Sequence, residues 1–283
     1  TTVFSQEQLP GAFHAAPKDA YKAGCGWPES LRWRIPQDTP SGFFKVVSTC
    51  LRPDGGRYVQ HHFFVVRPTP GTQTGPLLML LPTSTWTAYN DWGGSSSYIG
   101  IDGDTGDMAS PVLSLQRPWT RGIVWLPDGA PRICAEPEPD PLTMPRYHVK
   151  DWAWSNGFGY FYAASGWAQY DRHFVRWAEG EGIVLDMITQ QDLHYRPEIL
   201  SRYRAVVVVG HDEYWSHEMR RHMETYVENG GRLARFGGNF LWQVRLEDEG
   251  RRQVCYKHRA PDEDPVRGTD QAHLLTTAWE SRD

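Results

Sequence analysis

The sequence predicts an α/β protein: a mostly parallel sheet with helices on both faces, preceded by a small β-rich segment. Three observations carry this. Pro76–Leu81 and Ala205–Val209 are short, continuous apolar runs, the mark of strands buried on both faces. From about Gly159 onward, strand and helix patterns alternate at the spacing of a parallel sheet. Upstream, an Asp-Gly-Gly turn sits between two β-branched and aromatic runs, a hairpin signal.

Taken in order, residues 1–32 show little periodicity and read as a loose covering arm. Gly42–Leu51 and Tyr58–Arg67 are the two hairpin strands, with Arg52–Gly56 between them, and Pro68–Gly75 is a loop. Residues 1–75 therefore form an arm and hairpin segment, and residues 76–283 the α/β domain. A Trp- and Gly-rich insertion, about residues 90–159, interrupts that domain. Long irregular excursions are often functional, and this one is expected to contain short strands such as Gly122–Leu126. Trp167, Tyr170, Phe174 and Val175 fall on one helical face, with Gly180 and Gly182 as the stop. Ile183–Thr189 is the next strand. Ser216 caps a helix whose Met219, Met223, Tyr226 and Val227 share a face, ended by Gly230 and Gly231. Leu233–Phe236 is a further strand, closed by Gly237-Gly238-Asn239.

The 283 residues carry 29 Lys+Arg against 34 Asp+Glu, a formal net charge of -5. That balance argues against general nucleic-acid or anionic-membrane binding, which needs a basic face. No apolar run is long enough to span a bilayer. Thr1–Pro10 has neither the basic start nor the apolar stretch of a signal peptide. Cys25, Cys50, Cys134 and Cys255 are scattered, without metal spacing. They read as reduced core residues of a cytoplasmic protein, with one or two disulfides in an exported protein as the alternative, and are expected to do no chemistry.

In open parallel sheets, ligands sit beyond the carboxyl ends of the strands. Three polar clusters lie there: Thr83–Gly94 running on to Ser97-Tyr98, Gly210–Trp215, and Gly237–Asn239. His211 and Glu213, two apart in a strand-end loop, can face the same way and offer a proton shuttle and a base or hard-metal ligand. The plainer reading puts Asp212 and Glu213 near a helix N-terminus for dipole reasons. Tyr89 and Tyr98 are hard anionic oxygens when ionised and suit a trivalent iron better than zinc, but lone tyrosines are more often filler. His61 and His62 read as structural, one facing in and one out, and Asp102-Gly103-Asp104 as a turn.

The runs TWTAYNDWGGSSSY (Thr85–Tyr98) and VVGHDEYWSHEMRRHMETYVENGGRLARFGGN (Val208–Asn239) resemble the large, beta-type subunit family of N,N-dimethylformamidase. Upstream IPQDTPSGFF and HFFVVRP, and downstream VCYK, DP and TTAW, fit the same family, so the likeness covers about residues 33–279. The resemblance implies a class I glutamine-amidotransferase-like core without its cysteine nucleophile. It implies one mononuclear ferric iron held by Tyr89, Tyr98 and Glu213, with His211 and Asn239 as polar, catalytic residues of the pocket. The implied activity is metal-activated hydrolysis of the C–N bond of a small amide. A homo-oligomer or a small accessory subunit is left open. The chain stops soon after TTAW, whereas relatives continue. A non-catalytic module that binds sugar or peptide, or a truncated, inactive member of the family, is therefore the alternative. A flavodoxin-type nucleotide binder is disfavoured, since no strand-end loop carries a GxGxxG cradle.

Overall fold

The computed structural model describes residues 1–100, 110–132 and 147–282. In chain order these form α1 (Ala20–Ala23), β1 (Gly42–Leu51), β2 (Arg57–Val66), β3 (Leu77–Leu81), α2 (Thr83–Tyr89) and β4 (Val112–Ser114). Next come α3 (His148–Asn156), α4 (Asp171–Gly180), β5 (Asp186–Thr189), α5 (Gln190–Tyr195), β6 (Ala205–Val209) and β7 (Tyr214–Ser216). The chain continues through α6 (His217–Glu228), β8 (Arg232–Phe236), β9 (Trp242–Glu247), β10 (Arg252–Val254) and α7 (Ala260–Glu263). Cys134 and Asp102-Gly103-Asp104 lie outside the described residues.

Strand side chains alternate, so a strand buried on both faces feeds two cores. The four parallel strands run in the order β5-β3-β6-β8. Leu78, Leu80, Ile188, Val206 and Val208 point to one face, under Met219, Met223 and Tyr226 of α6 and Leu193 of α5. Met79, Leu81, Met187, Val207 and Val209 point to the other, under Val175 of α4, Trp86 of α2 and the Ile123-Val124 segment. Each such side chain fully withdrawn from water contributes about 1.5–3 kcal/mol. The hairpin closes this second face. Its Phe43 stacks on Trp167 with ring centroids 3.8 Å apart, and Phe63 meets Trp86 at 5.4 Å. Beyond Phe43 and Phe44 the outer half of β1 is exposed.

A second four-stranded sheet, ordered β4-β10-β9-β7, lies beside the first. Its β4-β10 and β10-β9 pairs are antiparallel, and β7-β9 is parallel. Sequence reading had no place for it, so the architecture is a parallel sheet plus a mixed one. Among the described residues, no helix is long and apolar enough to cross a membrane.

Several element expectations need correction. Gly122–Leu126 is not a strand. Gly122 has φ +110° and lies against the Tyr162 side chain, and Ile123 spends its carbonyl on a single bond from Ala168 N–H rather than on a ladder. Trp167 and Tyr170 precede α4, because Gly166 at φ +118° turns the chain before the helix begins at Asp171. Val227 is exposed, one position off the buried stripe of α6. Only Cys255 of the described cysteines is a core residue; Cys25 is partly buried and Cys50 exposed. His61 and His62 are both half-buried instead of one in and one out, and His61 lies on Trp125 at 4.7 Å.

Candidate functional site

β6 ends at Val209, and the chain turns at Gly210 with φ +77°. A Cβ there would fall 2.6 Å from that of Tyr170, so only glycine makes this turn. The next three side chains then alternate. His211 and Glu213 face the site. Asp212 points into the core, where its carboxylate accepts from Trp215 Nε1 at 2.7 Å and from Arg235 at 3.0 Å. Burial pushes the Asp212 pKa up to about 6, with Arg235 opposing. Asp212 is thus held by core partners of its own. Ser216, three residues on, is the residue that caps α6, accepting from Met219 N–H at 3.1 Å.

Glu213 is the centre of the site and is 3% exposed. Its Oε2 accepts from the Tyr89 hydroxyl at 2.9 Å and the Tyr98 hydroxyl at 2.8 Å. His211 Nε2 stands 3.2 Å from the same oxygen. Oε1 accepts from Trp242 Nε1 at 2.9 Å, a contact made possible because β7 and β9 pair Tyr214 with Trp242. The two phenol rings stack at 4.4 Å. Tyr89 ends α2, and Tyr98 follows the Gly93-Gly94 turn, where Ser97 N–H bonds the Ala88 carbonyl at 3.0 Å. Asn239 Nδ2 lies 3.0 Å from His211 Nε2, and Ala164 O lies 3.0 Å from His211 Nδ1. All five residues singled out in the sequence therefore meet at one place, at the carboxyl edge of the parallel sheet. It opens toward solvent on the side of exposed Asn239.

The electrostatics are those of a single ionised carboxylate among protonated phenols. Burial raises the Glu213 pKa, but His211, Tyr98 and Lys257 more than offset it, and the net shift is downward. Burial likewise lowers His211, and Glu213 more than offsets that, so its net shift is upward. Burial first, then the neighbouring Tyr89 and Glu213, pushes the Tyr98 phenol far above its ordinary value. Tyr214 is pushed up by burial in the same way.

Three contributors escaped sequence reading. Lys257 is fully buried, with Nζ 3.6 Å from the Tyr98 ring centroid, and donates to the Ser97 carbonyl at 3.2 Å. The Tyr214 hydroxyl donates to that of Tyr98 at 2.6 Å. Trp242 holds Oε1. Only strand pairing in the unforeseen mixed sheet brings Trp242 here, and Lys257 follows β10 in the VCYK run. Cys255 lies nearby, but burial pushes its thiol up to about 12, so it offers no thiolate.

Tyr89, Tyr98 and Glu213 present three oxygen donors in mutual contact. This is a hard set, suited to a trivalent cation. Among the described residues, no group of three or more His, Cys, Asp or Glu side chains is placed to hold a metal ion.

These features define a class of α/β protein in which a buried carboxylate, ringed by phenols, sits at the carboxyl edge of a parallel sheet. The chain belongs to the N,N-dimethylformamidase beta subunit-like, C-terminal family, whose sequence profile matches residues 1–283. It is similar to the N,N-dimethylformamidase beta subunit of Alcaligenes sp, at 24% identity over 235 residues. That match takes in 80% of this chain and 29% of the relative, so the chain spans under a third of the relative's length.

Proposed function

We propose that the chain carries the centre of an iron-dependent amidohydrolase that cleaves the C–N bond of a small amide with water. The observation that carries this reading is the meeting of Tyr89 and Tyr98 at Glu213, both hydroxyls donating to its Oε2. In this reading Tyr89, Tyr98 and Glu213 hold one ferric ion. When bound, it supplies Lewis acidity, polarising an amide carbonyl and making water acidic enough to serve as hydroxide near neutral pH.

The chain's own residues do the rest. Loss of the Tyr89 and Tyr98 protons adds two negative charges beside Glu213, and Lys257 over the Tyr98 ring offsets part of that charge. Trp242 fixes the Glu213 carboxylate in orientation through Oε1. His211 takes or returns a proton at Nε2, held in place by the Ala164 carbonyl on Nδ1. Asn239 Nδ2, beside that nitrogen, donates to the developing oxyanion. Phe161, with its ring centroid 5.7 Å from Tyr89 and 5.5 Å from Tyr98, gives the amide an apolar wall.

The name of the Alcaligenes relative supports N,N-dimethylformamide as a first substrate to try, and its beta-subunit description supports looking for an accessory subunit. The strand order β5-β3-β6-β8 supports a glutamine-amidotransferase-like core. The test is direct: iron-loaded protein is assayed for dimethylamine or ammonia release from N,N-dimethylformamide and other short amides. Turnover that follows bound iron is expected. Hydrolysis by iron-free protein at the same rate would refute the reading.

A further inference from the structure

Tyr89 and Glu213 come from segments 124 residues apart in sequence, yet their oxygens must sit within a fraction of an ångström of the right spacing to share one cation. One buried side chain that touches neither of them spans the two segments. Gln190, the first residue of α5, is fully buried. Its Oε1 accepts the Ser84 N–H of α2 at 2.8 Å. Its Nε2 donates to the Tyr214 carbonyl at 3.0 Å and to Asp212 Oδ1 at 3.2 Å, the residues on either side of Glu213. Its backbone N–H is taken by Thr83 Oγ1 at 3.2 Å.

The amide can sit only one way round. Turned over, its oxygen would face two acceptors and its NH2 a donor. The Ser84 N–H is one of the first-turn donors that a helix cannot satisfy itself, and Pro82 at the N-cap offers no side-chain acceptor. Gln190 therefore caps α2 from another element. Thr85, one turn before Tyr89, supplies a second tie. Its Oγ1 accepts the N–H groups of Glu213 at 2.9 Å and Tyr214 at 3.3 Å.

We propose that Gln190 is a positioning residue that locks the helix bearing Tyr89 to the turn bearing Glu213, with Thr85 as the second tie, and so sets the spacing of the oxygen donors. Its consequence for metal affinity rests on the ferric reading above; the spacing itself does not.

Gln190→Met keeps the length of the side chain and removes its polar atoms. Thr85→Val removes the shared acceptor, and Thr85→Ser restores it. Tyr203→Phe is the stability control. It deletes a buried 2.7 Å bond to Asp186 at the opposite edge of the sheet. Each variant is melted, crystallised metal-free, and titrated with ferric ion followed by visible absorption. In Gln190→Met and Thr85→Val the Tyr89–Glu213 contact is expected to lengthen beyond hydrogen-bond range. The ferric dissociation constant should rise about tenfold or more, the size of effect seen for outer partners of metal ligands. Thr85→Ser and Tyr203→Phe should keep both, although Tyr203→Phe melts lower. A Gln190→Met protein that kept the contact and bound iron no worse than Tyr203→Phe would overturn the proposal. If Gln190→Met fails to fold, the Thr85→Val and Thr85→Ser pair decides. If the wild-type chain takes up no ferric ion, the metal reading falls, and the contact in the metal-free crystals still decides the positioning claim.

Discussion

At the scale of single residues, the proposed mechanism separates charge from proton transfer: Glu213 carries the charge at the centre, and His211 would move the proton. His211→Ala is therefore expected to retain iron while slowing amide hydrolysis by about 10²–10⁴, the usual range for a lost general acid–base. Loss of iron together with turnover, seen by metal analysis, would make His211 a ligand instead. Outside the site, Asp171 is wholly buried at the start of α4, and neither carboxyl oxygen has a hydrogen-bond partner among the described residues. Burial pushes its pKa well above the ordinary value, and Asp212 adds to the shift. An acid whose pKa is raised on folding supports the fold fully below its unfolded pKa, near 3.9, and loses that support as pH rises toward the folded value. Asp171→Asn should therefore gain stability relative to wild type as pH rises from about 4 toward neutrality. Urea melts across this range check it; parallel pH profiles for the two proteins would contradict it.

At the scale of elements, the site depends on how closely the carboxyl ends of β6 and β8 approach. Gly210 N–H bonds the Phe236 carbonyl at 3.0 Å, and a Cβ at Gly237 would collide with the Gly210 carbonyl oxygen. Gly237→Ala should push these strand ends apart, at a cost of about 1–3 kcal/mol in overpacking. It should also pull His211 away from Asn239. Denaturant melts measure the first effect and a crystal structure the second; an unchanged melt would show that the approach is loose.

The same scale explains what the sequence disclosed. The runs GFFKVVSTCL and AVVVV were legible as β1 and β6 to the residue, because β-branched and aromatic side chains dominate them. The helix α2 was not. Its seven residues, TSTWTAY, include three threonines, poor helix formers, and follow a proline. It is capped by Gln190, 106 residues away, and no local pattern announces such a cap. The mixed sheet was not foreseen: β9 carries an apolar alternation at Trp242, Val244 and Leu246, but Gln243 between them is buried as well, and β7 and β10, at three residues each, are too short to show a period. Of the site, His211 and Glu213 could be read from their place after a strand, whereas Tyr89, Tyr98 and Asn239 were named through the family resemblance carried by the Thr85–Tyr98 and Val208–Asn239 runs. Lys257 and Trp242 could not, since only the fold of the mixed sheet brings them to Glu213; Tyr214 lies in the Gly210–Trp215 cluster, but its bond to Tyr98 is not legible there.

At the scale of the molecule, both four-stranded sheets contribute to the site. The parallel sheet delivers Glu213 and His211 from the end of β6, and the mixed sheet delivers Tyr214, Trp242 and, just past β10, Lys257. In the proposed reading, this convergence builds a ferric site from two phenols and one carboxylate. The most direct measurement is iron content together with the visible absorption spectrum of the purified chain, in wild type and in Tyr98→Phe and Glu213→Ala. Wild type is expected to hold one iron per chain and to absorb visible light through tyrosinate-to-iron charge transfer. Tyr98→Phe should shift or weaken that band, and Glu213→Ala should abolish both metal and band. A wild-type chain that stays colourless and iron-free when offered ferric ion, or a Glu213→Ala chain that keeps its colour, would contradict the account.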